Sequence, residues 1–185
     1  MHPYGEEHVD QPQLVMYRKD LDNIPETRPP KSYRIRCYED GDQEALASIF
    51  QQCFDPGWNP DRILKTFVED SLWSPYRMCV LCHGREVVGT ATAWESRQRP
   101  GHGMLHYLAV HPAHRGKHLG LLLAARVLEL LKGMGYADAW LSTDDFRLPA
   151  IRTYLSLGFE PLCTDKTHAE RWEIVRHKLK AGSTK

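Results

Sequence analysis

Apolar and polar residues follow two different periods along this chain. They alternate over residues 33–38, which predicts a first core strand, and again over residues 78–94 on both sides of a turn, which predicts a hairpin. Between these segments, Asp42 and Asn59 are candidate N-caps for two helices whose apolar positions recur at helical spacing. The first half of the chain therefore predicts a strand, two helices and a hairpin.

The second half contains the strongest helical pattern, after a strand predicted over residues 104–110. The apolar residues that recur at helical spacing are Leu119, Leu122, Leu123, Val127, Leu130, Leu131 and Met134. The remaining predicted elements are a strand at 137–142, a short helix between Pro149 and Gly158, a strand at 159–163 and a helix at 167–179. This alternation of strands and helices predicts an α/β domain of mixed (α+β) type.

Composition and charge restrict the class of protein. The chain has 185 residues, of which 42% are hydrophobic and 26% charged, as expected for one globular domain. Lys plus Arg equal Asp plus Glu at 24 each, so no global field attracts nucleic acid or an acidic membrane. Because the sequence has neither a basic, apolar leader nor a long apolar run, we expect a soluble cytoplasmic protein.

Residues 1–31 are rich in proline and polar side chains, and they predict an N-terminal arm ahead of a single domain at residues 32–185. Five cysteines, an odd number, favour reduced thiols over a disulfide framework. Cys79 and Cys82 form a CxxC pair, but positions i and i+3 of a strand face opposite sides. We therefore expect buried thiols there and no shared metal.

A basic, glycine-containing loop joins the strand at 104–110 to the long helix. It reads His111-Pro112-Ala113-His114-Arg115-Gly116-Lys117-His118-Leu119-Gly120. The first amides of a helix lack partners within the helix and carry partial positive charge, so the junction suits a pyrophosphate. A solvated basic turn is the alternative. His118 follows Gly116-Lys117 where a P-loop needs Ser or Thr, and the loop follows the wrong strand for a dinucleotide fingerprint.

Two separate motifs resemble the acetyl-CoA binding core of the GNAT (Gcn5-related) N-acetyltransferases. They are Leu108-Ala109-Val110 followed by residues 115–120, and residues 150–159; the resemblance covers about residues 33–164. It implies a mixed, mostly antiparallel sheet with helices on both faces, whose parallel strands 4 and 5 splay apart around the pantetheine arm. It also implies acetyl-CoA or coenzyme A as cosubstrate and no metal. The implied cofactor contacts are Leu108, Ala109, Val110, Arg115, Gly116, Lys117, His118, Leu119 and Gly120.

The chain departs from the family pattern at two positions. His118 stands where the family loop usually has its first glycine, and Arg147 stands where many members have asparagine. The seventh strand of the family is also missing from the pattern, because the chain after Cys163 looks helical. Residues 14–17 have strand propensity and are a candidate to fill that sheet edge, within the chain or across a dimer.

Acetyl transfer to an amine needs an acceptor for the amine proton and benefits from a proton donor to the thiolate. The resemblance implies Tyr154 as the donor, and the alternative is a core tyrosine in a stripe with Ile151 and Leu155. His106 is the candidate acceptor, since serotonin N-acetyltransferase relatives carry a histidine there and an ordinary pKa of about 6.5 suits a base. A water chain from Glu95 or Asp144 is the alternative acceptor.

These residues lead to two hypotheses of function. The first is an N-acetyltransferase that moves an acetyl group from acetyl-CoA to a small-molecule or peptide amine by direct transfer in a ternary complex. The second is a non-catalytic acyl-CoA-binding regulatory module. The segment at residues 54–58 is either an aromatic wall for the acceptor or a hydrophobic plug. The resemblance also allows a homodimer, because family members often pair.

Overall fold

The computed structural model describes residues 11–97 and 99–182, whose strands form one seven-stranded sheet in the order β2-β3-β4-β5-β6-β1-β7. The strands are β1 (Leu14–Arg18), β2 (Tyr33–Cys37), β3 (Met78–His83), β4 (Glu86–Glu95), β5 (Gly103–Val110), β6 (Ala139–Thr143) and β7 (Glu160–Leu162). The helices are α1 (Asp42–Cys53), α2 (Pro60–Ile63), α3 (Leu119–Gly133), α4 (Leu148–Ser156) and α5 (His168–Ala181). Neighbouring strands are antiparallel except β5 and β6, which are parallel. The predicted fold class is confirmed.

The sheet separates two hydrophobic cores. Side chains of α3, α4 and α5, such as Leu123 and Trp172, fill one core, and side chains of α1 and α2, such as Phe50, fill the other. Cys79 belongs to the first core and Cys82 to the second. The two thiols of the CxxC pair therefore face opposite sides of the sheet, as the strand period predicts.

Strand β1 comes from the predicted N-terminal arm and lies inside the sheet. Leu14 pairs with Thr143 of β6, and Val15 pairs with Leu162 of β7. The substitute strand is therefore supplied within the chain, but the prediction that it fills an edge is wrong, because β7 pairs with its outer side. Residues 1–10 of the arm lie outside the described residues, and the division into arm and domain stays a prediction.

The start of α1 differs from its prediction, whereas the start of α2 agrees. Gly41 precedes α1 in the left-handed region with φ 103°, so Asp42 is the first helical residue and not the cap. Its carboxylate accepts hydrogen bonds from the Arg36 guanidinium at 2.6 and 2.7 Å and from the Glu39 N–H at 2.8 Å, and thereby closes the preceding turn. Asn59 caps α2 by accepting a main-chain N–H at 2.8 Å.

The predicted helix ends are confirmed for α3 and α4. Helix α3 ends at Gly133, and Gly135 follows with φ 89°. Pro149 lies in the first turn of α4, and Gly158 follows that helix with φ 79°. Among the residues that the structure describes, no helix combines the length and the apolar character needed to cross a membrane.

Candidate active site

A bulge in β5 shapes the centre of the sheet. His106 pairs with Thr92 of β4 and Ala109 pairs with Thr90, so two residues of β5 lie opposite one residue of β4. Tyr107, one of these two, has φ 47°, which is uncommon for a bulky side chain. Bulges bend a strand and re-aim its side chains. The bulge therefore changes the course of β5 within the segment that the family resemblance assigns to the cofactor.

Strands β5 and β6 share a parallel ladder only at their beginnings, where Gly103 pairs with Ala139 and Met104 with Trp140. Further along, a cavity of about 740 Å³ lies between them. Its lining from these strands is Met104, Leu105, His106, Tyr107 and Leu108 of β5 and Ser142 and Thr143 of β6. The cavity thus occupies the parting of the two parallel strands.

Tyr154, the candidate proton donor, lies on α4 and lines this cavity. Its side chain is buried, with 6% exposure, and so is Ile151, whereas Leu155 of the same expected stripe is 39% exposed. Burial raises the pKa of Tyr154 to about 12; Asp144 raises it further and Arg147 opposes the shift. A phenol with this pKa keeps its proton throughout the physiological range.

His106, the candidate proton acceptor, lines the same cavity from β5. Burial lowers the pKa of its imidazole to about 4, because a desolvated site disfavours the charged form. The ring is therefore neutral at physiological pH and offers one acceptor nitrogen. This pKa is lower than the ordinary value that the sequence analysis used. The structure brings both candidate proton-transfer groups into one cavity.

The two carboxylates of the alternative water chain also line the cavity. Glu95 accepts hydrogen bonds from the Gly101 N–H and the Tyr136 hydroxyl, each at 3.0 Å, and these bonds lower its pKa. Asp144 accepts from the Gln13 side chain at 3.0 Å and is also held by an arginine. Since hydrogen bonds stabilise its ionised form, Glu95 is a weaker base than a free carboxylate.

The basic loop leads into α3, and His118 is the N-cap of that helix. Its backbone is left-handed, with φ 56° and ψ 18°. Glycine adopts this conformation without strain, which explains the usual family residue at this position, and histidine is among the side chains enriched there. The side chain of His118 is exposed. Gly116 also has a positive φ, of 77°.

The two cations of this loop are held by neighbouring elements. Arg115 donates from Nε to the carbonyl oxygen of Val110 at 3.2 Å, and its Nη2 lies 3.3 Å from Sγ of Cys53. Lys117 donates from Nζ to the hydroxyl of Tyr33 at 3.0 Å. Both positive charges are therefore held by hydrogen bonds within the region of the loop that precedes α3, a helix whose first amides favour an anion.

Arg147, the second departure from the family pattern, connects the end of α1 with the loop after β6. Its Nη1 donates to the main-chain carbonyl of Cys53 at 2.9 Å, and its Nε donates to Asp144 at 2.8 Å. The guanidinium also lies 5.2 Å from the ring centroid of Phe54. Arg147 lines the cavity, so this connection forms part of its wall.

The segment at residues 54–58 contributes two aromatic side chains to the cavity lining. Trp58 is 2% exposed and packs edge-on against Phe50 at 4.8 Å and Tyr107 at 5.3 Å between ring centroids. Phe54 is half-buried and, like Trp58, lines the cavity. Trp58 is therefore packed as a hydrophobic plug, while contact of the segment with an acceptor stays a prediction.

Sequence reasoning missed a group of charged residues at the cavity. Asp55 pairs with Arg62 at 2.8 Å, and Asp70 pairs with Arg97; all four line the cavity. Asp55 follows α1, Arg62 lies in α2, Asp70 follows α2 and Arg97 follows β4. Isolated charged residues at such positions carry no local sequence signature, so the sequence alone does not identify them.

A gap between parallel strands beside an anion-binding helix start is the arrangement of acyltransferases that use coenzyme A thioesters. Residues 43–159 match the sequence model of the Acetyltransferase (GNAT) family. Because the match spans more than half of the chain, the chain belongs to the GNAT acetyltransferase family.

Two other acetyltransferases are similar to this chain over part of their length. Mycothiol acetyltransferase of Mycobacteroides abscessus is 30% identical over 167 residues, which are 84% of this chain and 55% of that protein. N-acetyltransferase 8B of Rattus norvegicus is 34% identical over 80 residues, which are 42% of this chain and 36% of that protein. The chain therefore spans about half or less of the length of these two relatives.

Solved structures agree in fold. A GCN5-related N-acetyltransferase from Sphaerobacter thermophilus superposes with a TM-score of 0.67 at 21% identity, over 82% of this chain and 50% of that one. An acetyltransferase from Salmonella typhimurium, solved with its cofactor acetyl-CoA, has a TM-score of 0.61 at 23% identity, over 70% and 80% of the two chains. At these identities the likeness establishes the fold.

Proposed function

We propose that this chain is an acetyl-CoA-dependent N-acetyltransferase that transfers the acetyl group directly to a primary amine in a ternary complex. The observation that carries the proposal is that Tyr154 and His106 line one cavity in the parting of β5 and β6. Membership of the GNAT family supports acetyl-CoA as the donor, as does the structural neighbour solved with acetyl-CoA.

The cosubstrate would bind along β5 and the start of α3. The main-chain edge of β5 at residues 108–110 would pair with the pantetheine arm, and the amides of residues 116–120 would bind the diphosphate. Arg115 and Lys117 add positive charge beside these amides. His118 contributes its main-chain N–H while its exposed side chain points to solvent.

The proposed reaction uses one side chain as proton donor and another as proton acceptor. The ammonium substrate first loses one proton to bulk water. The neutral amine then attacks the thioester carbon, a C–N bond forms, and the C–S bond breaks. Tyr154 gives its hydroxyl proton to the departing sulfur, and His106 takes the proton that the new amide nitrogen loses. A proton passed through water from His106 to Tyr154 restores both groups. The raised pKa of Tyr154 keeps the donor protonated, and the lowered pKa of His106 keeps the acceptor neutral.

The acceptor would bind in the part of the cavity lined by Asp55, Asp70 and Glu95. Asp55 and Asp70 are paired with Arg62 and Arg97, so Glu95 is the carboxylate proposed to attract an amine that arrives as an ammonium ion. We propose a small-molecule amine, with a peptide amine as the second candidate. The similarity to a mycothiol acetyltransferase over 84% of the chain supports the small molecule.

The test is release of free thiol from acetyl-CoA, measured against a panel of amines. We expect release with at least one amine and a fall in kcat of roughly 10²–10⁴-fold in Tyr154→Phe, with unchanged affinity for coenzyme A by calorimetry. Tyr76→Phe, at an exposed tyrosine outside the cavity, is the control and should match wild type. Binding without turnover of any amine would favour the acyl-CoA-binding module, and absence of binding would exclude both functions.

A further inference from the structure

Three side chains of the types that can ligate a metal ion lie close together on the surface, outside the cavity. His83 ends β3 and Glu86 begins β4, and the turn at residues 84–85 makes them direct partners in the antiparallel ladder. His114 reaches them from the short 3-10 turn Pro112–His114 in the basic loop. Their ligating atoms all lie within 4.8 Å of one another.

We propose that His83, Glu86 and His114 bind one Zn²⁺ ion, with water in the fourth position. Ligands of a tetrahedral zinc lie about 3.3 Å apart, given bond lengths of about 2.0–2.2 Å, so small side-chain rotations close the site. Two imidazoles and one carboxylate are a common donor set of open zinc sites, whereas Ca²⁺ and Mg²⁺ prefer oxygen ligands. The sequence analysis expected no metal, because the family resemblance implies none and the CxxC thiols face opposite sides of a strand.

Tyr33 supports the ring of His114 from behind. Its hydroxyl lies 2.9 Å from Nδ1 of His114 and accepts a hydrogen bond from Nζ of Lys117 at 3.0 Å. When the Nδ1–H of His114 donates to this hydroxyl, Nε2 is the nitrogen free for a metal, and histidine ligands ordinarily have their second nitrogen held in this way. Tyr33 is also the ladder partner of His83, and their rings lie 4.8 Å apart between centroids.

A further histidine of the basic loop lies close to the proposed ligands. The ring of His111 lies 6.0 Å from that of His114, so His111 is the candidate to replace the water as fourth ligand.

A metal at this position would tie the β3–β4 hairpin to the loop that leads into α3. The same loop ends at the amides that we propose for the diphosphate, so an ion that fixes the loop changes its affinity for coenzyme A. Such coupling is reciprocal. The coupling rests on the proposed function, whereas the zinc site itself does not.

Titration of ZnCl₂ into tag-free, EDTA-treated full-length protein, followed by calorimetry, tests the site. We expect one ion per chain and a Kd weakened about 100-fold in His83→Gln and in His114→Gln, and roughly tenfold in Tyr33→Phe. His177→Gln, at an exposed histidine of α5, is the matched control and should bind like wild type. Circular dichroism establishes that each variant is folded, and Glu86→Gln provides a further ligand variant.

Cobalt(II) is the spectroscopic probe of the same site. Visible d–d bands of tetrahedral cobalt, lost in His83→Gln and without a thiolate charge-transfer band, are expected. Absence of stoichiometric binding, wild-type affinity in both histidine variants, or a thiolate band that places the ion on a cysteine would each overturn the site. Coenzyme A affinity unchanged by bound zinc would overturn only the coupling.

Discussion

The guanidinium of Arg147 donates a hydrogen bond of 2.9 Å to the main-chain carbonyl of Cys53, and so joins the loop after β6 to the end of α1. Arg147→Met keeps the aliphatic stem and removes this bond together with the one to Asp144. We expect the free energy of unfolding, measured with urea, to fall by about 1–2 kcal/mol, because both acceptors lose a charged donor.

The matched control is Arg126→Met. Arg126 forms an exposed pair with Glu129 at 2.7 Å on α3, and exposed pairs contribute only about 0.2–1 kcal/mol. Equal losses in the two variants would mean that the Arg147 connection contributes no more to stability than an exposed ion pair.

The acidic limb of the pH profile should identify the proton acceptor. Because the pKa of His106 is lowered to about 4, its neutral form persists down to that pH. Protonation of His106 should therefore leave kcat/KM of the wild type unchanged between pH 8 and about pH 5 and should lower it near pH 4. His106→Ala should lower the rate and remove that limb. An unchanged limb in the variant would assign the proton to another group.

The same pKa predicts a pH dependence of stability. The unfolded imidazole, with a pKa of about 6.5, takes up a proton before the folded one does, so acidification favours the unfolded state. Stability should therefore decline from about pH 6.5 to pH 4, by roughly 2–3 kcal/mol for this group. Urea unfolding at several pH values should show a smaller decline in His106→Gln. Parallel curves for variant and wild type would contradict a buried neutral His106.

The left-handed backbone at His118 predicts that glycine is tolerated at this position better than a β-branched residue. We expect His118→Gly to fold and to bind coenzyme A at least as well as wild type, because glycine has no strain at φ 56°. His118→Val should lose about 1–2 kcal/mol of stability, since a β-branched side chain tolerates this region poorly. Thermal melts and calorimetry measure both effects. Ala113→Val, in the same exposed loop, is the control and should change stability by less than about 0.5 kcal/mol.

The buried face of β1 should carry most of its contribution to stability. Met16 is 0% exposed, so Met16→Ala should cost about 2–5 kcal/mol. Val15 lies on the opposite face and is half-buried, so Val15→Ala should cost about 1 kcal/mol or less. Urea unfolding gives both values. Because the strand pairs within its own chain, the midpoint should not depend on protein concentration; a concentration-dependent midpoint would indicate exchange of β1 between chains.

The sequence predicts local structure, such as a helix cap, where neighbouring residues determine it. Asn59 precedes a proline at the start of α2, and this pairing identifies a cap without knowledge of the fold. Asp42 was assigned wrongly as a cap because aspartate is favoured both at the cap and in the first turn. The decision between these positions comes from Arg36, which binds its carboxylate.

Contacts between segments that are distant in the sequence could not be predicted in the same way. Strand propensity at residues 14–17 indicates a strand but does not say that Leu14 will pair with Thr143. The resemblance predicted that Tyr154 and His106 belong to one site, but the low pKa of His106 depends on burial that only the packed structure creates. Arg147 was recognised as a departure, and its contact with Cys53 depends on the meeting of two distant segments.

The position of β1 has a consequence for the order in which the protein is made. Among the described strands β1 is translated first, and its partners β6 and β7 are translated last. Until β6 and β7 have been made, no strand covers Leu14 and Met16, and contacts of such long sequence separation form slowly. The sheet is therefore completed only after β7 has emerged, when the earliest of these strands closes between the two latest.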